Sequence, residues 1–160
     1  MLDAYATHVP VLAAAIAAAG PGPVLELGAG NFSTPVLHAM CAAMGRSLLT
    51  LENNPTWLER FVSFRSTTHR VEFVADWDQA VPADRWAVVF VDHAPGERRI
   101  IDIEKLREMC EVMVVHDTED VGYGYGPAFS KFTYRTDYKR MTPWTTMLSM
   151  TRDVSLLGDL

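Results

Sequence analysis

Val24-Leu25-Glu26-Leu27-Gly28-Ala29-Gly30-Asn31-Phe32-Ser33-Thr34-Pro35 decides the fold of this 160-residue chain. A short apolar run enters two closely spaced glycines, and Ser33-Thr34-Pro35 then opens a helical stretch through Met44. This reads as strand, tight turn and helix. Glycine permits the turn, and proline is tolerated in the first turn of a helix, where the N–H groups lack intrahelical partners.

Outward from this unit the pattern repeats. Ser47 to Leu51 reads as a second strand, Pro55 to Phe64 as a helix, Val71 to Val74 as a third strand and Trp86 to Val91 as a fourth. Arg98 to Met109 carries Ile100, Ile101, Ile103, Leu106 and Met109 at helical spacing, and Val112 to Val115 is a fifth buried strand. Short apolar strands alternating with helices imply a parallel sheet covered on both faces, hence an α/β doubly wound, Rossmann-like fold. Phe132 to Tyr138 and Thr145 to Thr151 alternate like strands and are expected to pair antiparallel as a C-terminal edge hairpin of a mostly parallel seven-stranded sheet. Length predicts a single domain over 1–160.

Composition narrows the class. With 49% hydrophobic and 21% charged residues, disorder and coiled coil are excluded. A net charge of −6 offers no basic footprint for nucleic acid. The charge is uneven: residues 1–120 hold 9 Lys/Arg against 17 Asp/Glu, residues 121–160 hold 5 against 3, so an acceptor facing the C-terminal quarter would be anionic. The apolar run from Val9 to Ala19 is shorter than the ~20 residues of a membrane span, and reads as a helix stopped by Gly20-Pro21-Gly22-Pro23. Cys41 and Cys110 have no metal or redox spacing and read as reduced core residues of a cytoplasmic protein.

Ligands of open α/β sheets bind outside the carboxyl ends of the strands. Here those exits are polar: Glu52-Asn53-Asn54, Asp76-Trp77-Asp78, Asp92-His93-Ala94-Pro95-Gly96 and His116-Asp117-Thr118-Glu119-Asp120. Glu52 lies 22 residues after Gly30, near the ~20-residue offset at which an acid meets ribose hydroxyls. Ser33 stands where a dinucleotide fingerprint has its third glycine. His93 and His116, at neighbouring exits, are candidate bases, whereas His8, His38 and His69 have no comparable placement.

The Val24–Ser33 stretch resembles the first motif of class I S-adenosylmethionine-dependent methyltransferases, and the likeness continues through Glu52, Asp76-Trp77 and Asp92. The resemblance implies that Glu26 and the loop Gly28, Ala29, Gly30, Asn31 and Ser33 hold the amino-acid part of S-adenosylmethionine. It also implies that Glu52, with Asn53 beside it, takes the ribose, and that Asp76 and Trp77 take the adenine. Asp92-His93-Ala94-Pro95-Gly96 is similar to segments of carbohydrate O-methyltransferases, which makes Asp92, His93, His116 and Asp117 the catalytic candidates and a sugar or another small molecule the acceptor.

A divalent ion, Mg²⁺ or Mn²⁺, on Asp92 and Asp117 with Glu119 or Asp120 would resemble the catechol-type enzymes, although Thr118 stands where those place another ligand. Asp117 as a helix N-cap is an equally simple reading. Gly122-Tyr123-Gly124-Tyr125-Gly126-Pro127 reads as a lid or a surface turn, and Arg98, Arg99 and Lys131 as anion-binding or solvated charges. A homodimer would be one way to complete the pocket. The competing classes are an NAD-dependent oxidoreductase and a non-catalytic nucleoside-binding module.

Overall fold

A computed structural model describes residues 3–80 and 84–155. Seven strands, β1 (Val24–Leu27), β2 (Leu48–Glu52), β3 (His69–Phe73), β4 (Trp86–Val91), β5 (Cys110–His116), β6 (Tyr134–Tyr138) and β7 (Thr145–Ser149), form one sheet in the order β3-β2-β1-β4-β5-β7-β6. The first five run parallel, and β7 inserts antiparallel between β5 and β6. The order reverses at β1, where β2 and β4 lie on opposite sides.

Alternation along each strand divides the core. Leu25, Leu27, Val89, Val91, Met113 and Val115 face helices α5 (Arg99–Leu106) and α6 (Gly126–Phe129). Val24, Val88, Phe90, Val112 and Val114 face α1 (Val9–Ala18) and α2 (Ser33–Ala43). Strands buried on both faces have no polar side to present, which is why β4 reads Trp-Ala-Val-Val-Phe-Val without interruption. Among the described residues no helix is long and apolar enough to cross a membrane.

The helix expected over Pro55 to Phe64 is shorter. α3 covers Pro55–Leu58 and a 3-10 turn covers Val62–Phe64. Trp57, Phe61, Val62 and Phe64 are weak helix formers, and Phe61 N–H donates to Leu58 O, the tighter three-residue bond that ends an α-helix. α4 is a single turn over Trp77–Ala80.

Candidate functional site

The exits of β1, β2 and β4 border one cleft of about 520 Å³, lined by Gly28, Ala29, Glu52, Asn53, Trp57 and Asp92 among others. Gly28 is at φ +90°, and a Cβ there would lie 2.8 Å from the backbone of Asp92 and His93. Only glycine lets these two exits approach so closely. Glu52 is buried at the edge of the cleft, and its Oε2 and Oε1 accept the N–H groups of Ala29 (3.0 Å) and Asn54 (2.8 Å). Trp57 was not singled out in the sequence. Its ring borders the cleft and its Nε1–H donates to Ala29 O at 2.7 Å.

Of the residues expected at the cofactor, Glu26, Gly30, Asn31, Ser33, Asp76 and Trp77 do not line this cleft. Glu26 has no exposed surface. Thr34 donates to its carboxylate at 3.0 Å and Thr50 at 2.6 Å, while Thr34 accepts Gly30 N–H. Burial raises the Glu26 pKa to about 7 against the pull of these hydroxyls, and the acid braces the loop from behind. Trp77 is a core residue, packed against His93 with Nε1–H donating to Ala94 O. Asp76 is exposed and accepts from Asp78 N and Gln79 Nε2. Asn31 is exposed and Ser33 buried at the start of α2.

On the other side of Asp92 the exits of β4 and β5 meet. Arg99, at the start of α5, bridges Asp92 Oδ1 (3.0 Å) and Asp117 Oδ2 (3.1 Å). The free oxygens of the two carboxylates face His116 Nδ1, at 3.5 Å from Asp92 and 3.3 Å from Asp117. Thr7 Oγ1 donates to Pro143 O (2.8 Å), so its contact with His116 Nε2 (3.0 Å) is donated by the imidazole. Burial opposes a charge on His116, but hydrogen bonding to Asp92 and the charges of both aspartates outweigh it and raise its pKa. Asp117 is no N-cap. It sits at φ +58°, a left-handed conformation rare outside glycine.

His8 is the residue the sequence reading set aside. As the N-cap of α1 it packs against Phe90 and stands edge-on to His116, ring centroids 4.8 Å apart. Burial lowers its pKa to about 4, with His116 adding to the effect. Only the docking of α1 on β4 and β5 brings His8 here from more than 100 residues away.

His93 does not join this group. Its side chain has no exposed surface, and Nε2 lies 3.0 Å from Asp102, itself held by Arg98. Of the two candidate bases, His116 is the one set against the Asp92 and Asp117 carboxylates. Nor are the basic residues free for an anion: Arg98 pairs with Asp78 and Asp102, Arg99 with Asp92 and Asp117, and Lys131 with Glu104. In the Gly-Tyr loop, Tyr125 is buried and stacked on Phe129, which anchors the segment that read as a lid.

No family model matches the sequence, and no curated protein does. Solved structures do. An SAH-bound methyltransferase of Podospora anserina superposes with a TM-score of 0.67 at 12% identity, over 91% of this chain and 78% of that one. An O-methyltransferase assigned as putative in Nostoc punctiforme gives 0.60 at 11%, over 90% and 56%. A 16S rRNA N2 G1207 methyltransferase of T. Thermophilus, in complex with AdoMet and guanosine, gives 0.56 at 13%, over 90% and 39%. The chain has the class I methyltransferase fold.

Proposed function

We propose that the protein is an S-adenosylmethionine-dependent methyltransferase that transfers the methyl group to an oxygen of a small molecule, with a sugar or glycoconjugate precursor as the acceptor class. The observation that carries this is the cleft at the switch point of the sheet. The Gly28–Ala29 turn, Glu52 and Asn53 line it, and in this fold that is where a nucleoside ligand finds backbone N–H groups and a ribose-binding acid.

Methyl transfer from a sulfonium requires alignment of nucleophile, methyl carbon and sulfur, and removal of the hydroxyl proton. Asp92 borders both the cleft and the His116–Asp117 cluster, so an acceptor on that cluster faces a cofactor in the cleft. The paired state of Arg98, Arg99 and Lys131 favours a neutral acceptor over an anionic one. The net charge of −6 disfavours nucleic acid. The two buried free cysteines suit a reducing cytoplasm. We take the sheet and its helices as one catalytic unit.

Calorimetry with S-adenosylhomocysteine and NAD tests the reading. Binding of the first and not the second is expected. Glu52→Ala should weaken binding at least tenfold while the variant stays folded, because charge-assisted hydrogen bonds contribute ~1.5–3 kcal/mol each. Binding of NAD alone would make the protein an oxidoreductase candidate, and binding of neither would leave a silent module. Labelled S-adenosylmethionine with neutral and phosphorylated sugars then identifies the acceptor.

A further inference from the structure

His8 is 2% exposed, and among the described residues neither of its ring nitrogens has a hydrogen-bond partner. A buried imidazole without partners is costly. One ligand atom each from His8, Asp92 and His116 lies within 4.8 Å of the other two.

The neighbours of these atoms are aimed inward by partners outside the group. Arg99 holds the far oxygens of Asp92 and Asp117, which turns Asp92 Oδ2 and Asp117 Oδ1 toward His116 Nδ1. Thr7 holds the Nε2–H of His116, so its Nδ1 faces two carboxylate oxygens. The left-handed backbone of Asp117 is strain spent on that direction. A proton on Nδ1 would reconcile His116 with the aspartates but would leave His8 as it is.

We propose that His8, His116 and Asp92 bind a divalent transition-metal ion, with Asp117 Oδ1 beside the group at 3.3 Å from His116 Nδ1. Bonds of about 2.1 Å put adjacent donors about 3 Å apart and opposite donors about 4.2 Å apart. The 3.5 Å spacing of Asp92 and His116 is already close to such an edge, and the 4.8 Å span closes with a shift of about half an ångström. Thr7 and Arg99 then act as the outer partners that fix ligand orientation.

Two imidazoles with a carboxylate suit Zn²⁺, Co²⁺, Mn²⁺ or Fe²⁺ rather than Mg²⁺ or Ca²⁺, which take all-oxygen sets. The ligand set therefore differs from the Asp92, Asp117 and Glu119 or Asp120 combination. Glu119 accepts from Trp144 N, and Asp120 caps Gly122 N. Ion binding does not depend on the methyl-transfer reading. Its catalytic consequence, lowering the pKa of an acceptor hydroxyl held at the ion, rests on that reading.

The test is titration of chelator-stripped protein with Co²⁺, followed by visible absorption. One equivalent should bind with ligand-field bands, and His8→Leu should abolish the bands and weaken binding by on the order of a hundredfold. His38→Leu, which removes the other close histidine pair, should bind Co²⁺ like the wild type. Absence of saturable binding, or binding that survives His8→Leu and disappears in His38→Leu, overturns the proposal. Calorimetry with S-adenosylhomocysteine on the same samples reads the methyltransferase proposal separately. Co²⁺ binding without nucleoside binding upholds the metal site alone, and the reverse removes it alone.

Discussion

Of the buried histidine–carboxylate clusters packed on the sheet, the ones around Glu26 and Asp92 contrast; in a third, His93–Asp102, His93 Nδ1 is also without a partner among the described residues. In the first, Thr34 and Thr50 donate to Glu26, Thr50 contacts His69 Nε2 at 2.9 Å, and His69 Nδ1 contacts His38 Nδ1 at 3.0 Å. Among the described residues, none of its buried side-chain polar atoms lacks a partner. In the second, both nitrogens of His8 are without a partner among the described residues and His116 Nδ1 faces two carboxylates. A polar cluster that stabilises a core is closed by its own hydrogen bonds, as the first is. One left open at the mouth of a cleft needs something from outside, and on that ground we assign binding to the second.

The largest effect that would sharpen this contrast is a pH dependence of the closed cluster. The Glu26 carboxyl is raised from 4.5 to about 7 in the folded protein, which therefore holds a proton that the unfolded chain releases. Stability from this group is highest below pH 4.5, falls as pH rises toward 7, and is flat above, a swing of about 3 kcal/mol. Denaturant titrations between pH 4 and 8 should show that slope in the wild type relative to Glu26→Gln. Parallel curves for the two proteins would mean the cluster is ionised throughout.

Next in size is the clamp of the open cluster. Arg99→Ala leaves Asp92 and Asp117 facing each other without their cation. Because each aspartate is about a quarter exposed, the cost should be about 2 kcal/mol, less than for a fully buried pair. A change of under about 0.5 kcal/mol would mean that water replaces the guanidinium.

The smallest effect is the most direct test of closed against open. His69→Leu strands Thr50 and His38 and should cost about 1.5 kcal/mol, whereas His8→Leu removes a buried group without partners and should stabilise the metal-free protein by about 1 kcal/mol. Equal losses in both variants would erase the distinction.

How much of this was legible in the chain depends on the range of the interaction that encodes it. β4 is read residue for residue, because a strand covered on both faces must be continuously apolar and nothing distant alters that. The glycine turn at Gly28 is legible for the same local reason. Glu52 could be placed by counting, since the length of a β-α-β unit fixes the offset.

Local information ends at side-chain direction. Glu26, Trp77 and His93 occupy positions where the pattern expects ligand contacts, yet burial turned Glu26 toward Thr50, Trp77 toward Ala94 and His93 toward Asp102. No spacing rule connects His8 with His116, because α1 crosses to β4 and β5 only when the apolar faces of the helix and sheet close on each other. The sequence by itself determined the order of strands and helices along the chain and the polar rim at the strand ends. Tertiary packing alone decided which of the polar residues on that rim find partners within the protein and which do not, because that depends on groups brought together from distant parts of the chain.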